Sequence, residues 1–192
     1  VTHNDSALNQ AFTSQGGKKM QRLNSSDRTL VIVEVAVMVA LATVLGFLRI
    51  YRMPYGGSIS LEMVPIFILA LRRGGVVGVV AGGVFGLLQL LIDPFFVHPI
   101  QVIVDYPLAF AAIGLAGFFQ KQPWLGLAVG TAGRYLAHVV SGIVFFGSQA
   151  PEGTPALVYS LSYNAMYILP SLVVSGVVVG LLSRVVKSGL EA

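Results

Sequence analysis

The chain of 192 residues is 55% apolar and only 10% charged, with a mean hydropathy of +0.81. A water-soluble domain carries about a quarter charged residues to wet its surface, so this composition excludes an ordinary soluble domain and points to a protein embedded in a membrane. The net charge of +4 is read as a mark of membrane orientation rather than of nucleic-acid binding, and the absence of Cys excludes disulfides and thiolate metal sites.

Residues 1–29 contain Lys18, Lys19, Arg22, Asp27 and Arg28 among Ser, Asn, Gln and Gly, without the apolar run of a cleavable signal. They are expected to form a polar, disordered cytoplasmic tail, with the first span as its own insertion signal. At about 20 apolar residues per crossing, residues 30–192 form one domain, an all-α membrane protein built as a six-helix transmembrane bundle. Span 1 covers 30–48 and carries a small face, Ala36 and Ala40, among Val35, Val37, Val39 and Leu41. An irregular Arg/Pro/Gly stretch follows at 49–58, then a short span 2 at 59–71, about 20 Å long by helical rise. Irregular backbone at membrane depth survives only where it is buried or lines a cavity. Tyr51–Ser60 is therefore either a cavity wall or lid, or an ordinary exposed loop. Span 3 covers 74–92, with Gly74, Gly78, Gly82 and Gly86 at steps of four, a pattern that lets another helix approach closely; packing within the bundle is the first reading and dimerisation the second. Spans 4, 5 and 6 cover 99–119, 124–146 and 156–186.

The cations set the orientation. With both termini inside, the cytoplasmic side holds nine, Lys18, Lys19, Arg22, Arg28, Arg72, Arg73, Lys121, Arg184 and Lys187, and the outside only two, Arg49 and Arg52. Ionisable groups within spans are costly and mark function. Glu34 sits near the cytoplasmic interface, and Glu62 near the start of span 2, where structural and functional readings both stand. Asp105 in span 4, His138 in span 5 and Asn164 in span 6 all fall roughly 9–12 Å below the outer surface by helical rise. With Tyr106, Phe146, Tyr159 and Tyr163 in the same spans, they outline an outward pocket for a flat, polar, cationic molecule. Arg134, one turn below His138, is expected to pair with Asp105 or with backbone carbonyls; Phe145 and Tyr167 are assigned to packing, and Trp124 to the cytoplasmic interface.

No phosphate-binding G-x-x-x-x-G-K-[ST], no H-E-x-x-H and no G-x-S-x-G occurs, and the His residues are scattered, so neither ATP hydrolysis by that route nor a metal site is expected. A membrane binder of this kind needs a partner to supply energy. From residue 59 onward the chain resembles the thiamine-specific substrate-binding (S) components of energy-coupling-factor (ECF) transporters, the ThiT family. The resemblance is carried by S-L-E-M-V-P-I-F-I-L-A-L-R-R-G (Ser60–Gly74), V-D-Y (Val104–Tyr106), R-Y-L-A-H-V-V-S-G-I-V-F-F-G-S-Q-A-P (Arg134–Pro151) and Y-S-L-S-Y-N (Tyr159–Asn164).

The resemblance implies a six-helix bundle whose pocket is closed by the loop after helix 1, with no chemistry or cofactor of its own. It implies energy from a transmembrane coupling protein and two ATPase subunits, the coupling protein docking on Ala36 and Ala40. It makes His138, Tyr159 and Asn164 ligand contacts, with Tyr106 and Phe146 beside the ligand rings. Asp105 stands where the family has a Glu that binds the aminopyrimidine, Phe146 where it has Trp, and Phe95 where it has Tyr. These departures shorten the acid and reduce the stacking surface, so the expected cargo is thiamine or a closely related pyrimidine or thiazole compound. A stand-alone secondary transporter working as a dimer is the alternative, which transport by the purified protein in liposomes would favour. An intramembrane enzyme using Asp105 and His138 ranks behind it, because neither a nucleophile nor metal spacing accompanies them.

Overall fold

The computed structural model of the chain describes residues 25–188, of which residues 32–188 pack as one compact unit. The expected tail, up to residue 24, lies outside the described residues. Helix α1 spans Ser25–Phe47. A two-stranded hairpin follows, β1 (Tyr51–Arg52) antiparallel to β2 (Ser58–Ile59), with Tyr51 opposite Ile59 and Arg52 opposite Ser58. Then come α2 (Met63–Arg73), α3 (Gly75–Ile92), α4 (Pro99–Phe119), α5 (Pro123–Phe145) and α6 (Ala156–Ser188).

Five of these helices are long and apolar enough to cross a membrane. The exception is α2, whose 11 residues rise only about 16 Å. Residues 59–62, expected to begin span 2, belong instead to the hairpin and its exit, because Ile59 is committed to β2 and Ile50 N donates to Ile59 O (2.8 Å). Pro65 sits in the first turn of α2, where its missing N–H costs no helical bond. Seven of the 11 residues of α2 are buried, and Met63, Ile66, Phe67 and Leu69 form the centre of the core with Phe85, Phe110, Ile113 and Leu127. The short helix is thus a central pillar against which α3, α4 and α6 pack.

The glycines of α3 act inside the bundle. A Cβ on Gly78 would collide with Ala70 and the Gly114 carbonyl, one on Gly82 with the Phe110 carbonyl, and one on Gly86 with the Tyr106 carbonyl. Backbone therefore lies on backbone between α3 and α4. Gly74 is not part of this face; with φ of 92° it makes the tight turn between α2 and α3.

α4 is not a uniform α-helix. Val104–Leu108 is a π turn containing Pro107, and Gly114–Phe119 tightens to 3-10 geometry. Pro107 has no N–H for the regular ladder, and the resulting one-residue bulge falls on Asp105 and Tyr106. Helix α1 buries Val39 and Ala42 against the core, while Ile32, Val33, Ala36, Val37, Ala40, Leu41 and Val44 stay exposed. Its Glu34 receives Arg72 (3.2 Å) and Arg73 (2.5 Å) from the end of α2, which fixes α1 at the bundle end away from the hairpin.

Candidate functional site

The hairpin lies over a cavity of about 140 Å³ walled by α3, α4, α5 and α6, with Glu62 entering it from the head of α2. Two features fasten it on the α6 side. The Tyr163 hydroxyl donates to Gly56 O (3.0 Å) and accepts from Tyr55 N (2.8 Å). Gly57, with φ of 85°, lies so close to Tyr167 that a Cβ there would sit 2.7 Å from its ring. Tyr55, Gly56, Gly57 and Ser58 line the cavity, so the irregular stretch after α1 is a cavity wall and not a free loop.

The polar layer expected from helical rise is present. Asp105 Oδ1 pairs with His138 Nδ1 (3.0 Å), while Asp105 Oδ2 accepts from Ser141 (2.8 Å) and from Gln101 Nε2 (2.8 Å). Asn164 Nδ2 donates to His138 O (3.3 Å) and Ser160 O (2.9 Å), and its Oδ1 accepts from the Tyr167 hydroxyl (2.8 Å). Because a carboxylate only accepts, His138 Nδ1 carries the proton in this pair, which leaves Nε2 to accept from Arg134 Nε at 3.4 Å. A carboxylate offers about four lone-pair sites. Three are taken at Asp105, leaving one for a donor in the cavity.

Arg134 departs from expectation. It binds neither Asp105 nor a backbone carbonyl; its Nη2 pairs with Glu62 Oε1 at 3.0 Å, and its guanidinium lies 4.3 Å over the Phe110 ring. Glu62 Oε2 also accepts from Gln89 (3.0 Å). Glu62, at the head of α2, descends into the bundle on the side where Arg134 points, so each neutralises the other's buried charge. Asp105 meanwhile takes its three partners from α4 and α5.

The aromatic side chains divide in use. Phe146 stacks on Phe95 with centroids 5.9 Å apart and planes at 26°, and Tyr159 is tilted against Tyr163 at 5.7 Å. Both Phe146 and Tyr159 face the cavity. Tyr106 also lines it, but its hydroxyl is spent on the loop between α3 and α4, donating to Asp93 O (3.0 Å) and accepting from Phe95 N (2.7 Å). Phe145 stacks on His98 away from the cavity. Tyr167, assigned to packing from the sequence, is buried but meets His138 edge-on at 6.0 Å and forms part of the cavity wall.

With this geometry in view, similarity to known proteins is decisive. The family described as Thiamine transporter protein (Thia_YuaJ) matches residues 32–189. The chain belongs to the thiamine transporter family. It is 40% identical over 179 residues to the thiamine transporter ThiT of Bacillus subtilis, covering 83% of this chain and 93% of that protein. It is 35% identical over 176 residues to ThiT of Lacticaseibacillus paracasei, covering 81% and 88%. The solved structure of ThiT from Listeria monocytogenes superposes with a TM-score of 0.76 at 31% identity, over 85% of this chain and 97% of that one. A solved S component of a bacterial ECF transporter superposes with a TM-score of 0.60 at 20% identity, over 86% and 99%, a likeness of fold.

Sequence reasoning passed over several residues of this cavity. Arg49, Arg52 and Asp93 line the mouth, and Gln89 and Gln101 line the interior. The two arginines had served only to count charge by side. The two glutamines are uncharged, and the burial of Gln101 and half-burial of Gln89 were signals that sequence alone did not supply.

Proposed function

We propose that this multi-pass membrane protein is the substrate-binding subunit of an ECF-type importer. It captures thiamine, or a closely related pyrimidine or thiazole compound, from outside and hands it to an ATP-driven module. The observation that carries this reading is the convergence of Asp105, His138, Asn164, Phe146 and Tyr159 on one lidded cavity in a chain of the thiamine transporter family. The role is capture and transport, as the names of its relatives indicate, and not catalysis.

The chemistry of the cavity suits a flat aromatic cation. The free lone-pair site on Asp105 would take an N–H of the aminopyrimidine, with His138 and Asn164 ordering that edge. The rings of Phe146, Tyr159 and Tyr106 would lie beside the ligand's rings and face the thiazolium charge, an arrangement favoured by the aromatic quadrupole. Docking belongs to the opposite chemistry: Ala36 and Ala40 lie on an exposed apolar face of α1, where small side chains let a second helix approach. We assign that face to the transmembrane coupling protein, and two ATPase subunits to the module behind it.

Calorimetry on the purified chain tests the reading. Thiamine should bind, and Asp105→Asn should weaken it by about 1–3 kcal/mol, the range for a hydrogen bond to a charged group, with the fold intact. Absence of binding by the unmodified chain sinks the proposed cargo; unchanged affinity in the variant removes Asp105 from the site.

A further inference from the structure

Asp93 caps the end of α3, at the mouth of the cavity and apart from the layer around Asp105. Its carboxylate holds two cations, Arg49 on Oδ2 (2.6 Å) and Arg52 on Oδ1 (3.0 Å). Arg49 precedes β1 and Arg52 ends it, so one acid grips the first strand of the hairpin on both flanks. The segment carrying Asp93 is itself held from the binding layer. The Tyr106 hydroxyl donates to Asp93 O and accepts from Phe95 N. Gln101 Nε2 donates both to Phe95 O (3.1 Å) and to Asp105 Oδ2 (2.8 Å), and Gln101 Oε1 accepts from Val97 N (3.1 Å). A continuous run of polar contacts therefore joins Asp105 to the hairpin through residues 93–97.

We propose that Asp93 is the latch of the lid over the site: its grip on Arg49 and Arg52 sets how long a ligand stays enclosed, and Gln101 and Tyr106 position it from the ligand layer. This rests on the reading of the cavity as the thiamine site. The two pairs differ in character. Arg49 is 21% exposed and Arg52 61%, so water and salt screen the second far more than the first. The inner pair supplies most of the hold, and the outer pair makes it sensitive to ionic strength. Opening the β1 side requires giving up both, while the Tyr163 contacts keep the hairpin's turn in place on the α6 side. A latch of this kind acts on release more than on capture, as contacts formed after encounter do.

The experiment measures dissociation of radiolabelled thiamine from the purified full chain, and in parallel the lid itself. Asp93→Asn should raise the off-rate about tenfold, the scale of a charge-assisted hydrogen bond, with the on-rate changed by less than about threefold. Arg52→Gln should raise it less, and the double variant should be no faster than Asp93→Asn alone. Added salt should speed release from the unmodified chain and leave Asp93→Asn unaffected, a signature that loss of folding does not mimic. Ser60, directly after β2, is buried and the chain has no Cys, so maleimide modification of Ser60→Cys reports lid opening without ligand. It should also quicken about tenfold when Asp93→Asn is added. Unchanged rates in both arms overturn the latch. Faster release without faster modification places Asp93 among ligand contacts and overturns it as well. Failure of the unmodified chain to hold thiamine sinks the functional reading instead, and the modification arm still decides the latch.

Discussion

Arg134 and Glu62 meet with side chains only 6% and 5% exposed, and their pairing shows what a buried charge requires. Each is supported a second time, Arg134 by the Phe110 ring and Glu62 by Gln89. Removing one partner strands the other, at a cost of about 3–5 kcal/mol, whereas replacing both with apolar groups of similar size is often near neutral. Thermal unfolding in detergent should therefore show Arg134→Met strongly destabilised and Arg134→Met with Glu62→Leu largely restored; equal losses in both would mean the pair is not a closed unit. Phe146 offers a second handle. It stacks on Phe95 at the cavity, so Phe146→Trp should keep or improve thiamine affinity by enlarging the stacking surface, and a large loss would identify Phe146 as packing. At this scale the sequence was partly legible. Helical rise fixes depth, which brought Asp105, His138 and Asn164 to one level. It does not fix which neighbouring helix a side chain turns toward, and so Arg134 was matched to the wrong acid.

α1 and α4 show what whole elements add. The inner face of α1 is satisfied by Val39 and Ala42, whereas its other face offers small and branched apolar groups to whatever adjoins it. Leu at both Ala36 and Ala40 should abolish uptake in cells and co-purification with the coupling protein while ligand binding by the isolated chain persists. Normal transport by that double variant would clear α1 of a docking role. The long spans were legible because apolar runs broken by Pro and Gly mark their ends, as at Pro99 and Pro123. The hairpin was not, since two-residue strands carry no periodicity. Nor was the π turn, although Pro107 inside a span was a visible warning.

For the molecule as a whole, the site and the single tryptophan lie at different depths. Trp124 is exposed at the start of α5 and packs beside Gly176 and Gly180; His138 is fourteen residues further along the same helix, or about 21 Å. Thiamine should barely quench intrinsic tryptophan emission, and Phe146→Trp should create a strong signal. Strong quenching abolished by Trp124→Phe would put the ligand at the other end. The charge distribution gives the orientation in the cell: the hairpin end outside and the end with Arg72, Arg73 and Lys121 in the cytoplasm. Cysteine introduced at Ser148 should react with an impermeant reagent from outside, and at Lys121 only after permeabilisation. The reverse pattern would overturn both orientation and direction of capture.

The contact of α3 with α4 through Gly78, Gly82 and Gly86 also sets what evolution can try here. A side chain at any of the three has nowhere to go, because the obstacle is partly or wholly backbone, which cannot swing aside. Val76, Val80, Val84, Leu87 and Leu91 on the same helix face outward, and almost any apolar residue would serve there. In a saturation library selected for vitamin uptake, α3 should therefore appear as a sharply two-tone stripe: three frozen codons along one edge, free drift among apolar residues along the other.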